Sequence, residues 1–528
     1  MKNYLTYLYF VLLGGVLLGS VSCKKEIDAG PINSTYSSEF WTSQTSVEQA
    51  ALSMYGQFRS NIRTSNCFFT NGDFVAGNFT STAWNYTPLT AANTPPFDFP
   101  VATADYLGDL TDWTRWYQLI AQCNLILQQV PLMPLSDFSN DTTVVNGYIG
   151  EALFMRALTY FFVIRNWGDP VYITQTYNNV NYGNIPPVAR TPEAAVIDSC
   201  ILDLQKAAGY LSFKGGDPTQ TLRANKGSVY ALMAHMYAWE HDYKDAHTAC
   251  AQVITNGGYT LEPAATYTNI WKGEASLENI MEIAMQFNSN DPQFLTSAAA
   301  NLAQGEPNTY SAWSEAQFSF FSVFLKDSLD GDLTVNAWIA ADTLVDSLFA
   351  PYEGSDTNDI RFRTILKHVI ASNGDPDGYL LTKYTNFAYQ TPATSTNAYI
   401  SNNIALFRLG DIYLLDAEAL AMTGDGNGAV MDLNQTRNRA GIGNYTGPTD
   451  ESSLMFAIFE ERERELIGEG QTFYDMIRTQ PVLGRLTELL GYPQPRVTLK
   501  GYYWPLNLGT LFSQDPLLTQ NPYWSSNS

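Results

Sequence analysis

Apolar residues recur along this chain at three- and four-residue spacing, in segments that come in pairs. From Lys226 to Glu240, Val229, Leu232, Met233 and Met236 fall at helical intervals, and Ala231, Ala234 and Ala238 between them are small enough to let a neighbouring helix approach closely. His241-Asp242-Tyr243 reads as a turn. Lys244 to Ile254 then repeats the pattern through Ala246, Ala249, Cys250, Val253 and Ile254, and Asn256-Gly257-Gly258 supplies a C-terminal cap. Two such helices predict an antiparallel hairpin of the tetratricopeptide kind. Glu151 to Arg165 is apolar on nearly every side, through Leu153, Phe154, Met155, Leu158, Phe161, Phe162 and Ile164, which predicts a helix buried all round. Pro192 to Leu211, Arg408 to Met422, Ala429 to Ala440 and Ser453 to Gly468 add further helices. The fold class expected is mainly α: tetratricopeptide-like helical hairpins forming an α-superhelical scaffold, with long loops and short strands inserted.

The helical pattern lapses in two places, about 71–106 and about 259–403. Both are rich in Gly, Pro, Asn, Thr, Ser and aromatic residues, and read as long loops with short strands, the usual setting of a binding surface. Aromatic residues make up 13% of the chain, more than a helical core demands, and several sit in these polar stretches: Phe74, Trp84 and Tyr86 in one, Tyr310 and Trp313 in the other. A pyranose ring stacks its C–H face on an indole or phenol while its hydroxyls take hydrogen bonds from polar side chains. The alternative for any one of these aromatics is that it pins its loop to the body.

The N-terminus reads as a targeting segment. Met1-Lys2 is followed by an apolar run from Tyr4 to Leu18, small residues at 19–22, and Cys23. That order predicts a lipoprotein signal over 1–22, with the Cys23 thiol lipidated and its amine freed by cleavage as the mature terminus. An ordinary export signal is the alternative, since Ser20 stands where leucine is usual. Residues 23–39 then form a lipidated tether and 40–528 a single domain. With 29 basic residues against 52 acidic ones, net charge −23, a phosphate backbone is repelled, and nucleic acid is not an expected partner. Cys67, Cys123, Cys200 and Cys250 are far apart, and His235, His241 and His247 are spaced by six, which does not stack on one helix face. No metal or cofactor is expected.

Several segments together resemble the SusD/RagB-like nutrient-binding outer-membrane lipoproteins of Bacteroidetes. Glu461-Arg462-Glu463-Arg464-Glu465-Leu466, Glu469-Gly470 and Phe473-Tyr474-Asp475-Met476-Ile477-Arg478 are similar to the family's Glu-Arg-x-Arg-Glu-Leu, Glu-Gly and aromatic-Asp-Leu-x-Arg run. Glu151-Ala152, Arg156-Ala157, Tyr160 and Gly168-Asp169-Pro170 resemble its first long helix and exit turn, and Arg408-Leu409-Gly410-Asp411-Ile412-Tyr413 opens a match to a later helix. Asn434 with Arg437, Arg439 and Ala440, and Asn521-Pro522, follow in family order. Thr472, Asp411 and the Trp504-Pro505-Leu506-Asn507 turn depart from the pattern. The resemblance implies a lid on a TonB-dependent, SusC-like transporter in the outer membrane, held by its lipid anchor and capturing a glycan ligand. It also nominates the loops before the first long helix and in the middle section as the ligand surface, adding Asp73, Asn78 and Asn85 as polar candidates.

Three rivals remain: a lid for peptides or another nutrient; a glycoside hydrolase, for which paired carboxylates on the helix near 461–469 would be the site; and a pure scaffold whose hairpins only join proteins, which leaves the long aromatic loops unexplained. Glu461, Arg462, Arg464, Glu465 and Glu469 alternate in sign, however, so residues three or four apart are expected to neutralise one another, whereas a catalytic acid needs isolation or burial to raise its pKa. No catalytic residue is nominated.

Overall fold

Periodic apolar stripes become helices throughout the scaffold. The structure, a computed structural model, describes residues 40–64, 67–81, 110–176, 186–214, 217, 220–273, 276–285, 338–349, 358–369, 378–389, 398–400, 402–507 and 509–526. The N-terminal signal with Cys23, and the candidates Trp84, Asn85, Tyr86, Tyr310 and Trp313, lie outside the described residues.

Helix α1 (Gln44–Arg63) starts in a capping box, the Ser46 N–H donating to Ser43 Oγ at 3.3 Å, and buries Val47, Ala50, Ala51, Met54, Phe58 and Ile62 along one stripe. It packs on α2 (Thr114–Gln129) and α3 (Thr142–Trp167), and α3 in turn packs on α4 (Glu193–Tyr210). The predicted all-round burial of the third helix is observed. With 26 residues and a mean hydropathy of 1.3 it is long and apolar enough to cross a membrane, yet 94% of that window is buried inside the protein, so it is the core helix.

The predicted hairpin is α5 (Lys226–Trp239) and α6 (Tyr243–Asn256). Asn225 caps α5 by accepting the Gly227 and Ser228 N–H groups at 2.9 and 3.1 Å, and Ala231, Ala234 and Ala238 are fully buried against neighbouring helices. A second hairpin, α7 (Leu409–Met422) and α8 (Gly426–Ala440), packs on α6 through α7, and α9 (Glu451–Leu466) closes over both helices. Leu414, Ala417, Leu433, Leu454 and Ile458 form a small apolar core between these last three, separate from the main one. Helix α10 (Thr472–Leu483) follows α9 through Glu469-Gly470.

The loop-rich regions contain more structure than their composition predicts. Cys67–Gly72 is a short helix and Phe74–Ala76 a single turn, both buried. Strands β1 (Phe79–Ser81), β2 (Asn279–Ile283), β3 (Trp338–Ala341), β4 (Leu366–Val369), β5 (Gly378–Leu381), β6 (Phe387–Tyr389), β7 (Ala398–Ile400) and β8 (Ile404–Arg408) pair antiparallel as a four-stranded sheet, β1-β3-β5-β4, and two ribbons, β2-β8 and β6-β7. Strand β8 runs directly into α7, which fixes the middle section to the helical scaffold.

Candidate functional site

Strands β1 and β3 bring together two parts of the chain more than 250 residues apart. Their register pairs Phe79 with Ala340, Thr80 with Ile339 and Ser81 with Trp338. Ser81 is the last described residue before the stretch holding Trp84 and Tyr86, and Trp338 the first after the stretch holding Tyr310 and Trp313. One border of each of the two stretches nominated from composition is therefore paired with the other.

The three candidates within the described residues are all interior, which departs from the expectation that they face a ligand. Phe74 is 3% exposed, its ring packed 5.8 Å from that of Phe79 and 6.3 Å from that of Phe69, centroid to centroid. Asp73 is fully buried, accepting the Gly470 N–H at 2.7 Å through Oδ2 and the Thr472 hydroxyl at 3.4 Å through Oδ1. Asn78, also buried, donates through Nδ2 to Glu463 at 3.4 Å. The physical reason is that Asp73 ties this segment to the joint between α9 and α10, Asn78 ties it to α9 itself, and Phe74 packs into the segment's own aromatic cluster. The joint is tight: a Cβ on Gly72 would sit 2.2 Å from the Gly470 carbonyl oxygen, and Gly470 itself holds a φ of 72°. Burial pushes the Asp73 carboxyl up to about 7, against the Gly470 N–H and Lys383, which pull it down.

Behind this segment lies the glutamate-rich helix. Arg361 donates from Nη1 to Glu461 at 2.8 Å and to Glu465 at 3.0 Å. Arg408, at the start of α7, reaches Glu278 at 2.8 Å and Glu465 at 2.6 Å from Nη1, and grips Glu469 with two bonds of 2.8 Å from Nε and Nη2. Arg439 of α8 adds Glu278 at 3.0 Å and a short bond to Glu465. Lys383 donates to Glu469 at 2.6 Å and to the Ile467 carbonyl at 2.8 Å, with its ammonium 4.3 Å from the centre of the Trp271 ring. Alternating charge along the helix was expected to neutralise itself locally. Of these three glutamates only Glu461 has such a partner, Arg464 at 3.1 Å, and the other bonds come from distant segments.

This arrangement holds charge rather than delivering protons. Burial alone would raise Glu465, but the guanidinium groups of Arg439, Arg408 and Arg361 outweigh it and hold its carboxyl well below the usual carboxylate range. An ionised, fully buried carboxylate with every oxygen engaged offers a substrate neither a proton nor access. Glu463 is the opposite case: burial pushes it up to about 7, against the Asn78 hydrogen bond and Arg485, but it is 8% exposed. The histidines are also engaged, His235 Nε2 with Asp411 at 2.8 Å and His247 Nδ1 with Asp416 at 2.6 Å. Among the described residues no group of three or more His, Cys, Asp or Glu is arranged to hold a metal ion.

Two family patterns match the chain. The one described as "Starch-binding associating with outer membrane" covers residues 33–238, and the one described as "SusD family" covers residues 366–524. SusD-like protein P38 of Formosa agariphila is 24% identical over 98% of both chains. The starch-binding protein SusD of Bacteroides thetaiotaomicron is 32% identical over a shorter stretch, 20% of this chain and 18% of its own. Among solved structures, a SusD homolog from B. thetaiotaomicron superposes with a TM-score of 0.69 at 24% identity, covering 92% of this chain and 99% of that one. NanU of B. fragilis superposes with a TM-score of 0.67 at 19% identity, covering 93% and 99%. These structures share the mainly helical scaffold with its inserted loops and strands.

Proposed function

Because this chain belongs to the SusD/RagB-like family, we propose that it is a cell-surface lipoprotein that captures a polysaccharide or oligosaccharide and delivers it to a TonB-dependent, SusC-like transporter in the outer membrane. Residues 1–22 serve as the signal, Cys23 carries the lipid, 23–39 form the tether and 40–528 the binding domain. Capture proceeds by binding, without turnover of the glycan.

The observation that supports this most directly is the pairing of Ser81 with Trp338, which joins a border of the stretch holding Trp84 and Tyr86 to a border of the stretch holding Tyr310 and Trp313. In this reading the two stretches present Trp84, Tyr86, Tyr310 and Trp313 to one ligand, and stacking on several rings suits a sugar chain. The starch-binding description of the matching family pattern and of the B. thetaiotaomicron relative favours a glycan over a peptide. Asp73 and Asn78 then act as positioning residues for the first loop.

The test is native gel retardation of the mature domain, lacking Cys23, by a panel of immobilised polysaccharides, beside a Trp84→Ala, Trp313→Ala variant. Retardation by one glycan class, lost in the variant, is expected. A protein that no glycan retards would turn the assignment to peptides or another nutrient. Surface display is checked by protease shaving of intact cells, which should cut the protein.

A further inference from the structure

The start of α1, the end of α2 and the start of α3 share one end of the helical scaffold. Asn61, near the end of α1, donates to the Arg115 carbonyl at the start of α2 at 3.0 Å, and Gln122 donates to the Ala50 carbonyl at 3.3 Å, so these two helices run antiparallel. Tyr148, near the start of α3, meets Gln44 and Glu48 in the first turns of α1. The connection from α2 to α3 crosses this end as two short helical turns, Val130–Leu132 and Leu135–Phe138. The described chain also begins here, with Phe40 and Trp41 leading into α1. Residues 23–39, which join it to Cys23, are 17 in number and reach at most about 60 Å.

This connection is apolar where it meets solvent. Leu132 is 75% exposed and Leu135 39%, and Pro131 and Pro134 beside them are exposed as well. A single exposed leucine is ordinary on a protein surface, but here four apolar residues stand within five positions, and no charged residue falls between 130 and 136. The protein holds them outward. Phe138 is fully buried, its ring 6.4 Å from that of Tyr148, and Pro131 and Pro134 each fix a φ angle. Among the acidic groups at this end, Asp137 is half-buried, Asp141 caps α3 by accepting the Thr143 N–H at 2.8 Å, and Glu48 is paired with Arg223 at 2.6 Å.

We propose that the α2–α3 connection is a membrane-contact surface, at which Leu132 and Leu135 enter the boundary layer of the bilayer that holds the acyl chains of Cys23. The proposal rests on the reading of Cys23 as lipidated and not on the identity of the nutrient. Apolar side chains without neighbouring charge are what settles at the boundary between headgroups and acyl chains. Position selects lipid over a protein partner, because this is the end of the molecule that the anchor draws to the bilayer. Once the acyl chains are inserted, contact by the two leucines is an intramolecular step and needs little intrinsic affinity. The surface would then orient the scaffold on the membrane, which a tether alone leaves free to turn.

The experiment places the acylated mature chain in phosphatidylcholine vesicles, with Leu132→Cys or, as control, Met431→Cys carrying an environment-sensitive fluorophore. Cys67, Cys123, Cys200 and Cys250 are buried, so the introduced thiol is the one labelled, and Met431, 68% exposed on α8, reports on the second hairpin. Both replaced side chains are exposed, so neither variant removes core packing. Spin-labelled phosphatidylcholine in the vesicles is expected to quench the label at 132 by at least about twofold and to leave the label at 431 unchanged. Adding Leu135→Asp to the chain labelled at 132 should remove most of that quenching. With Cys23 shown by mass spectrometry to be acylated, no quenching at 132, or equal quenching at 431, would overturn the proposal and leave the lipoprotein reading standing. A label at 132 that is shielded from water but not quenched by lipid would mean that a second copy of the chain covers it, which also overturns the proposal. An unacylated Cys23 would overturn both.

Discussion

Replacing Glu463 with glutamine should stabilise this protein at neutral pH and do nothing at pH 4. The side chain is 8% exposed, it accepts a hydrogen bond from Asn78 at 3.4 Å, and burial moves its carboxyl from the ordinary 4.5 up to about 7. A folded-state pKa raised in this way gives stability that is full below 4.5, where both states are protonated, and that falls away as pH rises through about 7. With each pH unit between the two values worth about 1.4 kcal/mol, the ionised folded protein loses about 3 kcal/mol by pH 8. Glutamine keeps the acceptor for Asn78 and is neutral throughout, so it removes that loss. Unfolding entropy of about 2.1 cal/mol/K per residue gives about 1 kcal/mol/K for 528 residues, so the melting temperature should rise by about 3 °C at pH 8. Scanning calorimetry of both proteins at pH 4 and pH 8 measures this. A variant that melts lower than the parent at pH 8, or is shifted equally at both pH values, would refute the reasoning, because Glu463 would then be ionised and held by its neighbours.

Arg408→Met removes a guanidinium bound by Glu278, Glu465 and Glu469 and leaves buried carboxylates without it, so urea unfolding should register a loss of about 3–5 kcal/mol. Gly470→Ala puts a Cβ 2.8 Å from the Phe68 ring at a φ of 72°; a loss of about 1–3 kcal/mol is expected, and an unchanged denaturation midpoint would show that the joint is slack. Combining Glu465→Gln with Glu469→Gln should lower stability, while neither variant nor parent releases reducing sugar from any glycan of the panel. Hydrolysis by the parent that disappears in a still-folded variant would establish the glycosidase instead.

The helical scaffold was legible in the sequence because its determinant is local. A stripe at three- and four-residue spacing names a helix and its buried face together, as at 226–240 and 244–254, observed as Lys226–Trp239 and Tyr243–Asn256. Helix α1, left unassigned from the sequence, carries the same signal in Val47, Ala50, Ala51, Met54, Phe58 and Ile62 and was within reach of it. The family resemblance was legible for a related reason, since its motifs are short runs within single helices. Helix α9 was readable as a place of paired charge, but not its partners: Arg361, Lys383 and Arg408 lie more than 50 residues away and reach Glu461, Glu465 or Glu469 only after the chain has folded back.

What only tertiary structure decided is which side of a residue faces the protein. Asp73, Phe74 and Asn78 have the composition of a polar, aromatic loop, yet all three are interior, beside a close approach of Gly72 to Gly470 and with partners in α9, in the α9–α10 joint and in the segment's own aromatic cluster. Strands as short as Phe79–Ser81 and Trp338–Ala341 have too little periodicity to announce themselves, and nothing local records their register. The sequence by itself determined the helices, their apolar faces and the family, because side-chain spacing along one helix is a property of neighbours in the chain. The pairing of β1 with β3 and the partners of the buried glutamates were decided by segments that become neighbours only when the core closes between them.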